Sequence, residues 1–246
     1  MKRLSWQVIL GLALITLSAF LYLIHYAIFR DAHHIFIYMI GDIAFVFIEV
    51  LLVTLIIHRL LNEREKQAML KKMNMVIGAF FSEIGTTLLK YFSAFDLNSD
   101  KIRKELIVTT DWSGKKFASV IRHSRNYEYR IESKNGDLEG LKSFLTEKRN
   151  FLLVLLENPN LLEHESFTDL LWAVFHLTEE LAQRIDVRDL PDTDYGHLSG
   201  DMKRAYVLLT AEWLAYMKHL STAYPYLFSL AIRTNPLDPD ASPIVR

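Results

Sequence analysis

Residues Ile35–His58, IFIYMIGDIAFVFIEVLLVTLIIH, form an unbroken apolar run that carries two carboxylates, Asp42 and Glu49. About 20 consecutive apolar residues cross the hydrocarbon layer of a bilayer as a helix. An Asp at the centre of such a helix costs roughly 2.5–3.5 kcal/mol, so each acid demands a compensating partner. A second run, Leu4–Phe29, precedes it. That run exceeds the roughly 7–15-residue core of a signal peptide and has no A-x-A-like site ahead of its polar end. Together the two runs predict a transmembrane hairpin over residues 1–58, with helices at about 5–29 and 35–58 and a turn at Arg30–His34.

Charge placement orients the hairpin. Lys2 and Arg3 flank one end, Arg59, Arg64, Lys66, Lys71 and Lys72 follow the other, and the turn holds only Arg30 beside Asp31. Cytoplasmic flanks are the positive ones, so both termini are expected in the cytoplasm, with the protein in a cell (inner) membrane. Asp42 and Glu49 are seven residues apart and share a helix face. His25 and Ser18 in the first run are also seven apart. Facing residues of an antiparallel hairpin have a constant sum of numbers. His25 with Asp42 and Ser18 with Glu49 both give 67, which centres the turn at residues 33–34. The pattern predicts a polar seam that fixes the register, each hydrogen bond contributing about 0.6–2 kcal/mol. Its alternative is a cation or proton path lined by Asp42 and Glu49 in an oligomer, because two helices enclose no pore.

No proline or cap stops the second helix at Arg59, and residues 59–93 read as an amphipathic stalk. Met69, Leu70, Met73, Val76, Ile77, Phe80, Phe81, Ile84, Leu88, Tyr91 and Phe92 fall on one broad face, opposite Lys71, Gly78, Ser82 and Gly85. That face must be buried, against the rest of the chain, a second copy or the bilayer surface. Gly78 and Gly85 would allow another helix to approach closely.

Residues 94–246 read as a mostly helical cytoplasmic domain with an extended tail over 233–246, so the fold class is mostly α. The strand-like signal is the alternation of Tyr127, Tyr129 and Ile131, a small β element at most, near 126–133. Around it lies a basic cluster, Lys115, Lys116, Arg122, Arg125 and Arg130, with Trp112, Phe117, Tyr127 and Tyr129 interleaved. A juxtamembrane surface facing acidic lipid accounts for it better than a nucleic-acid surface, each cation being worth about 1 kcal/mol there. Further on, Leu138–Glu157 is a helix closed by Asn158–Pro159–Asn160. Ser166 to Asp169 reads as a capping-box variant opening a helix to about Ile185. Asp186–Gly200 reads as an acidic loop, Asp201–Tyr224 as a helix burying Met202, Tyr206, Leu209, Trp213, Met217 and Leu220, and Pro225 as the start of a short last helix.

The chain contains no cysteine, which excludes disulfides, thiolate metal sites and a cysteine nucleophile. No Walker loop, G-x-G-x-x-G, G-x-S-x-G or H-E-x-x-H is present. His176 and Glu180 have metal-ligand spacing, with Asp169 on the same side, but this side lies opposite the apolar face and is expected to meet water. Asp192-x-Asp194-x-Gly196 falls short of a calcium loop. No metal and no cofactor are expected, and the reading leans against an enzyme with a site of its own. The leading expectation is a non-catalytic two-pass membrane protein that self-associates through its transmembrane and stalk helices. Its cytoplasmic domain would bind a partner or sense a signal. A homo-oligomeric channel is the alternative, and a membrane-bound enzyme with an unrecognised site the weaker one.

Overall fold

A computed structural model describes residues 6–159, 161 and 164–245, the side chains of residues 67 and 68 excepted. Ser5, Lys2 and Arg3 of the expected first span and its flank lie outside the described residues, as do Asn160 and Arg246. The described residues are mostly helical and contain no strand. The chain divides into two units at Gln67 and Ala68.

In the first unit, α1 runs Trp6–Phe29 and α2 begins at Ala32, continuing to Phe80. The turn between them is two residues, not the expected five, because Asp31 caps α2. Its carboxylate accepts the backbone N–H groups of His33 (2.9 Å) and His34 (3.2 Å), two of the donors a helix start leaves unpaired. Arg30 takes the left-handed conformation (φ 50°) that lets α1 end, and its N–H donates to the Tyr26 carbonyl. Beyond the turn, the side chains of α1 and of α2 up to residue 66 are almost all exposed, Phe47 at 75% for example. Both helices are long and apolar enough to cross a membrane.

In the second unit most of the apolar stripe that begins in α2 is buried from Met73 on, while Leu70 stays exposed. Met73, Ile77 and Phe80 lie in the core, as do Phe81 and Ile84 in a five-residue π-helical turn, Phe81–Gly85. The extra residue of a π turn rotates the stripe, so Phe80 and Phe81 both point inward, and Phe81 stacks on Tyr216 at 5.1 Å. The Phe81 carbonyl accepts both the backbone N–H and the hydroxyl of Thr86. Gly78 does admit a neighbour, since a Cβ there would stand 3.1 Å from the Tyr216 hydroxyl, whereas Gly85 is crowded by Phe80 and Phe81 of its own segment. The remaining helices are α3 (Thr86–Phe95), α4 (Ser99–Glu105), α5 (Gly114–Asn126), α6 (Leu138–Leu156), α7 (Glu165–Gln183), α8 (Asp192–Ala223) and α9 (Pro225–Arg233).

α8 is the axis of this unit, with α3, α5, α7 and α9 packed on it and α6 packed on α7. It buries Leu198, Met202, Tyr206, Leu209, Trp213, Met217 and Leu220. It starts at Asp192, two turns and more before the expected Asp201, so most of the predicted acidic loop is helix. Pro191 fixes the entry, Asp192 and Asp194 complement the positive end of the helix dipole, and packing outweighs the two glycines within the segment. A Cβ at Gly196 or Gly200 would meet nothing within 4 Å, and no glycine has positive φ. Gly200→Ala is therefore expected to stabilise the domain by about 1 kcal/mol, read as a higher urea midpoint at unchanged slope.

Two other local readings are corrected. His164, not Ser166, caps α7, its Nδ1 accepting the Phe167 N–H at 3.2 Å. α7 ends at Gln183, short of the expected Ile185, which is 99% exposed. The strand-like alternation near 126–133, expected to give a small β element at most, yields a single bridge, Asp96 with Ile131. Its alternation reflects burial all the same, since Tyr129 and Ile131 are in the core. The tail after α9 is docked at Asn235–Leu237, where the Asn235 amide donates to the Leu106 carbonyl.

Candidate functional site

The hairpin residues singled out by the sequence are not brought together. His25 lies against Phe29 and His34, with ring centroids at 4.8 and 5.9 Å, rather than against Asp42. Contact of residues 25 and 34 corresponds to a sum of 59, near the 61 of a turn at Arg30–Asp31 and away from the expected 67. Ser18, Asp42 and Glu49 are exposed, and among the described residues neither acid has a hydrogen bond or an ion pair.

The basic residues are exposed as well. Lys115, Lys116, Arg122 and Arg125 lie on α5, outside the face by which Phe117, Val120 and Ser124 are buried, and Arg130 follows. Ser113 opens this helix, its hydroxyl accepting the Lys116 N–H. Of the interleaved aromatics, Phe117 and Tyr129 are core residues. Trp112 and Tyr127 are only partly buried.

The densest group of titratable side chains lies instead between α7 and α8. Two i, i+4 pairs face each other: His176 with Glu180 on α7, and His197 with Asp201 on α8. His176 Nε2 and His197 Nε2 each stand 3.4 Å from the same atom, Asp201 Oδ2. Glu180 adds its Oε1 at 3.9 Å from His176 Nε2 and its Oε2 at 3.6 Å from His197 Nε2. One ligand atom from each of His176, Glu180 and His197 falls within 4.8 Å of the others. Asp201 is 3% exposed, and its Oδ2 has no hydrogen-bond partner. The two imidazoles are about half exposed, so the group has a buried floor and an open mouth.

Arg184, one turn beyond Glu180, braces this group. Its guanidinium makes two hydrogen bonds to Asp194 (2.8 and 2.6 Å) and one to Glu180 Oε2 (2.9 Å). These bonds hold both carboxyls below their ordinary range. Arg204 stands 3.4 Å from Asp201 Oδ1. Two imidazoles and two carboxylates at this spacing can accept a divalent cation or share protons. Asp169 lies apart, in a shallow depression with Trp172, His176 and Arg204.

Sequence reasoning identified His176 and Glu180 but assigned them to open water. It missed His197 and Asp201, which it had placed in a loop and at a helix start. The legible signal was the repetition itself, H-x-x-x-E followed by H-x-x-x-D, but it becomes meaningful only once α8 is extended back to Asp192.

A helical domain following two long apolar helices defines the class. Residues 69–233 match the family described as uncharacterized protein MJ1433, C-terminal helical domain, and residues 2–61 match MJ1433, N-terminal helical domain. The chain belongs to the MJ1433 family. It is 45% identical over 233 residues to the uncharacterized protein MJ1433 of Methanocaldococcus jannaschii, covering 95% of this chain and 94% of that relative. No solved structure matches the chain.

Proposed function

We propose that this is a two-pass integral membrane protein, non-catalytic and self-associating, whose helical domain, residues 94–246, faces the cytoplasm and binds a partner or senses a signal. The observation that carries the reading is the exposure of α1 and of α2 up to residue 66, whose most apolar stretches reach mean hydropathy 2.2 and 2.5 with none of those stretches buried. In water that surface would be costly. In a bilayer each Leu, Ile, Phe or Val near a helix centre favours insertion by about 0.3–0.6 kcal/mol, and together they outweigh the acids. The absence of native cysteine makes the topology directly testable. Ala32→Cys is expected to react with an impermeant maleimide from outside intact cells, and Ala241→Cys only after permeabilisation. Labelling of both from outside, or recovery of the full chain in the aqueous fraction after an alkaline wash, would overturn the reading.

A second reading, a cation- or proton-conducting oligomer, is favoured by the lack of a partner for Asp42 and Glu49 among the described residues. In hydrocarbon such acids are compensated by a neighbouring copy or by a water-filled path. Flux through proteoliposomes, lowered by Asp42→Asn and Glu49→Gln, supports this reading. Flux unchanged by both removes the acids from any path.

A further inference from the structure

We propose that His176, Glu180, His197 and Asp201 form a four-ligand site for a divalent transition metal of the zinc type, tying α7 to α8. The proposal is independent of the membrane reading. Its geometry separates it from a simple network of charged hydrogen bonds. A charge-assisted N–H···O bond brings its heavy atoms to about 2.7–2.9 Å. Both imidazoles instead stop 3.4 Å from Asp201 Oδ2, and that oxygen, though buried, has no hydrogen-bond partner.

Those separations are the edges of a coordination polyhedron. Zinc bonds of about 2.0–2.1 Å in tetrahedral array place ligand atoms about 3.3–3.4 Å apart, against about 3.0 Å for an octahedral set at the same bond lengths. The two edges from the imidazoles to Asp201 Oδ2 are 3.4 Å, the tetrahedral value, while Glu180 stands farther out, its Oε1 3.9 Å from His176 Nε2 and its Oε2 3.6 Å from His197 Nε2. A small inward shift of Glu180 closes the longest. Two carboxylates also neutralise a divalent ion, and imidazole with carboxylate is a donor set that zinc accepts.

The surroundings support the ligands. Arg184 bonds Glu180 Oε2 and so fixes a carboxylate whose Oε1 faces His176 and whose Oε2 faces His197, and the Arg184 charge is itself balanced by Asp194. Asp201 is anchored in the buried floor by α8, the helix on which the domain packs. His176 and His197 stand at the open mouth, where an ion can enter. With no cysteine in the chain, metal binding at the site rests on nitrogen and oxygen donors alone.

The test uses the full chain in detergent micelles after chelator treatment, titrated with Co(II) as a spectroscopic probe and then with Zn(II) in competition. The expected result is one equivalent of Co(II) giving the visible bands of a tetrahedral ion, displaced by one equivalent of Zn(II). His176→Gln with His197→Gln should abolish the bands, and Asp201→Asn should weaken zinc by more than the about 10–100-fold that disturbing a ligand's outer hydrogen bonds costs. Far-UV circular dichroism checks that the exposed-histidine double variant is folded. Zinc should raise the urea midpoint of the wild type and leave that of the double variant unchanged. His33→Ala with His34→Ala, which removes the adjacent imidazoles after α1, should retain the bands. Absence of Co(II) bands in the wild type, their persistence in the double variant, or their loss in the His33/His34 variant would overturn the proposal.

Discussion

Tyr206→Ala is expected to cost the helical domain about 3–5 kcal/mol, the range of a buried large aromatic truncated to Ala. Tyr206→Phe should stay within about 1 kcal/mol of the wild type, because it removes a hydroxyl that makes no bond. Tyr206 is fully buried on α8, and its ring meets Phe92 of α3 at 5.8 Å and Tyr129 at 4.7 Å. Aromatic pairs of this kind add about 0.5–1.5 kcal/mol each to the area they bury. The Tyr206 hydroxyl has no hydrogen-bond partner, nor do those of Ser93, Tyr129 and Thr210. Burial pushes the Tyr206 and Tyr129 phenols well above their ordinary range, so both are neutral at any working pH. The two substitutions separate ring packing from hydroxyl chemistry at the junction of α3, α8 and the segment after α5. Equal losses for Phe and Ala in urea unfolding would mean that the hydroxyl, and not the ring, carries the energy.

The elements legible in the sequence were those announced by local signals. α6 is bounded by Asp137, whose carboxylate accepts the Gly140 N–H, and by Asn158–Pro159 after its last turn. α9 starts at Pro225, a residue suited to a first helical position. The inward faces of the stalk and of α8 followed from apolar spacing, because burial of a stripe needs no knowledge of what covers it. Boundaries set by a single side chain were harder. Asp31 and His164 each take a cap that polarity alone assigns to a loop. Gly196, Gly200 and the run of acids disguised the first turns of α8, where tertiary packing overrides propensity.

Those boundary errors propagated to the sites. The pairing of His25 with Asp42 and Ser18 with Glu49 requires a turn centred at residues 33–34, whereas the Asp31 cap places the turn at Arg30–Asp31 and His34 lies against His25. A slip of this size changes every facing pair, so no amount of care with Asp42 and Glu49 individually would have recovered their surroundings. The α7–α8 cluster depended on two helices facing each other. His176 and Glu180 supply only half of it, and an i, i+4 pair on an outward face is a common solvated pattern. What makes the pair specific is Asp201, an acid buried beneath it by the neighbouring helix.

Arg184→Met is expected to destabilise the domain by about 2–3 kcal/mol, below the 3–5 kcal/mol seen when one partner of a fully buried pair is removed. The discount follows from exposure: the side chains of Arg184, Asp194 and Glu180 are 16, 27 and 30% accessible, so water recovers part of what is lost. Arg184→Lys should restore little, because one ammonium cannot reproduce the two-pronged contact with Asp194 together with the bond to Glu180. The damage should be local first. Asp194 lies in the opening turn of α8, and without its clamp the amides near 194–198 should exchange faster while those around Tyr206 keep their protection. The pH dependence has a fixed sign. Arg184 lowers the Asp194 pKa in the folded state, so its stabilisation is complete above the ordinary Asp value of about 3.9 and is lost as pH falls through that value toward the lowered one. The stability gap between the wild type and Arg184→Met should therefore be constant near neutrality and narrow below about pH 4. A gap that persists unchanged into strong acid would assign the loss to the packing of the arginine stem rather than to its charge.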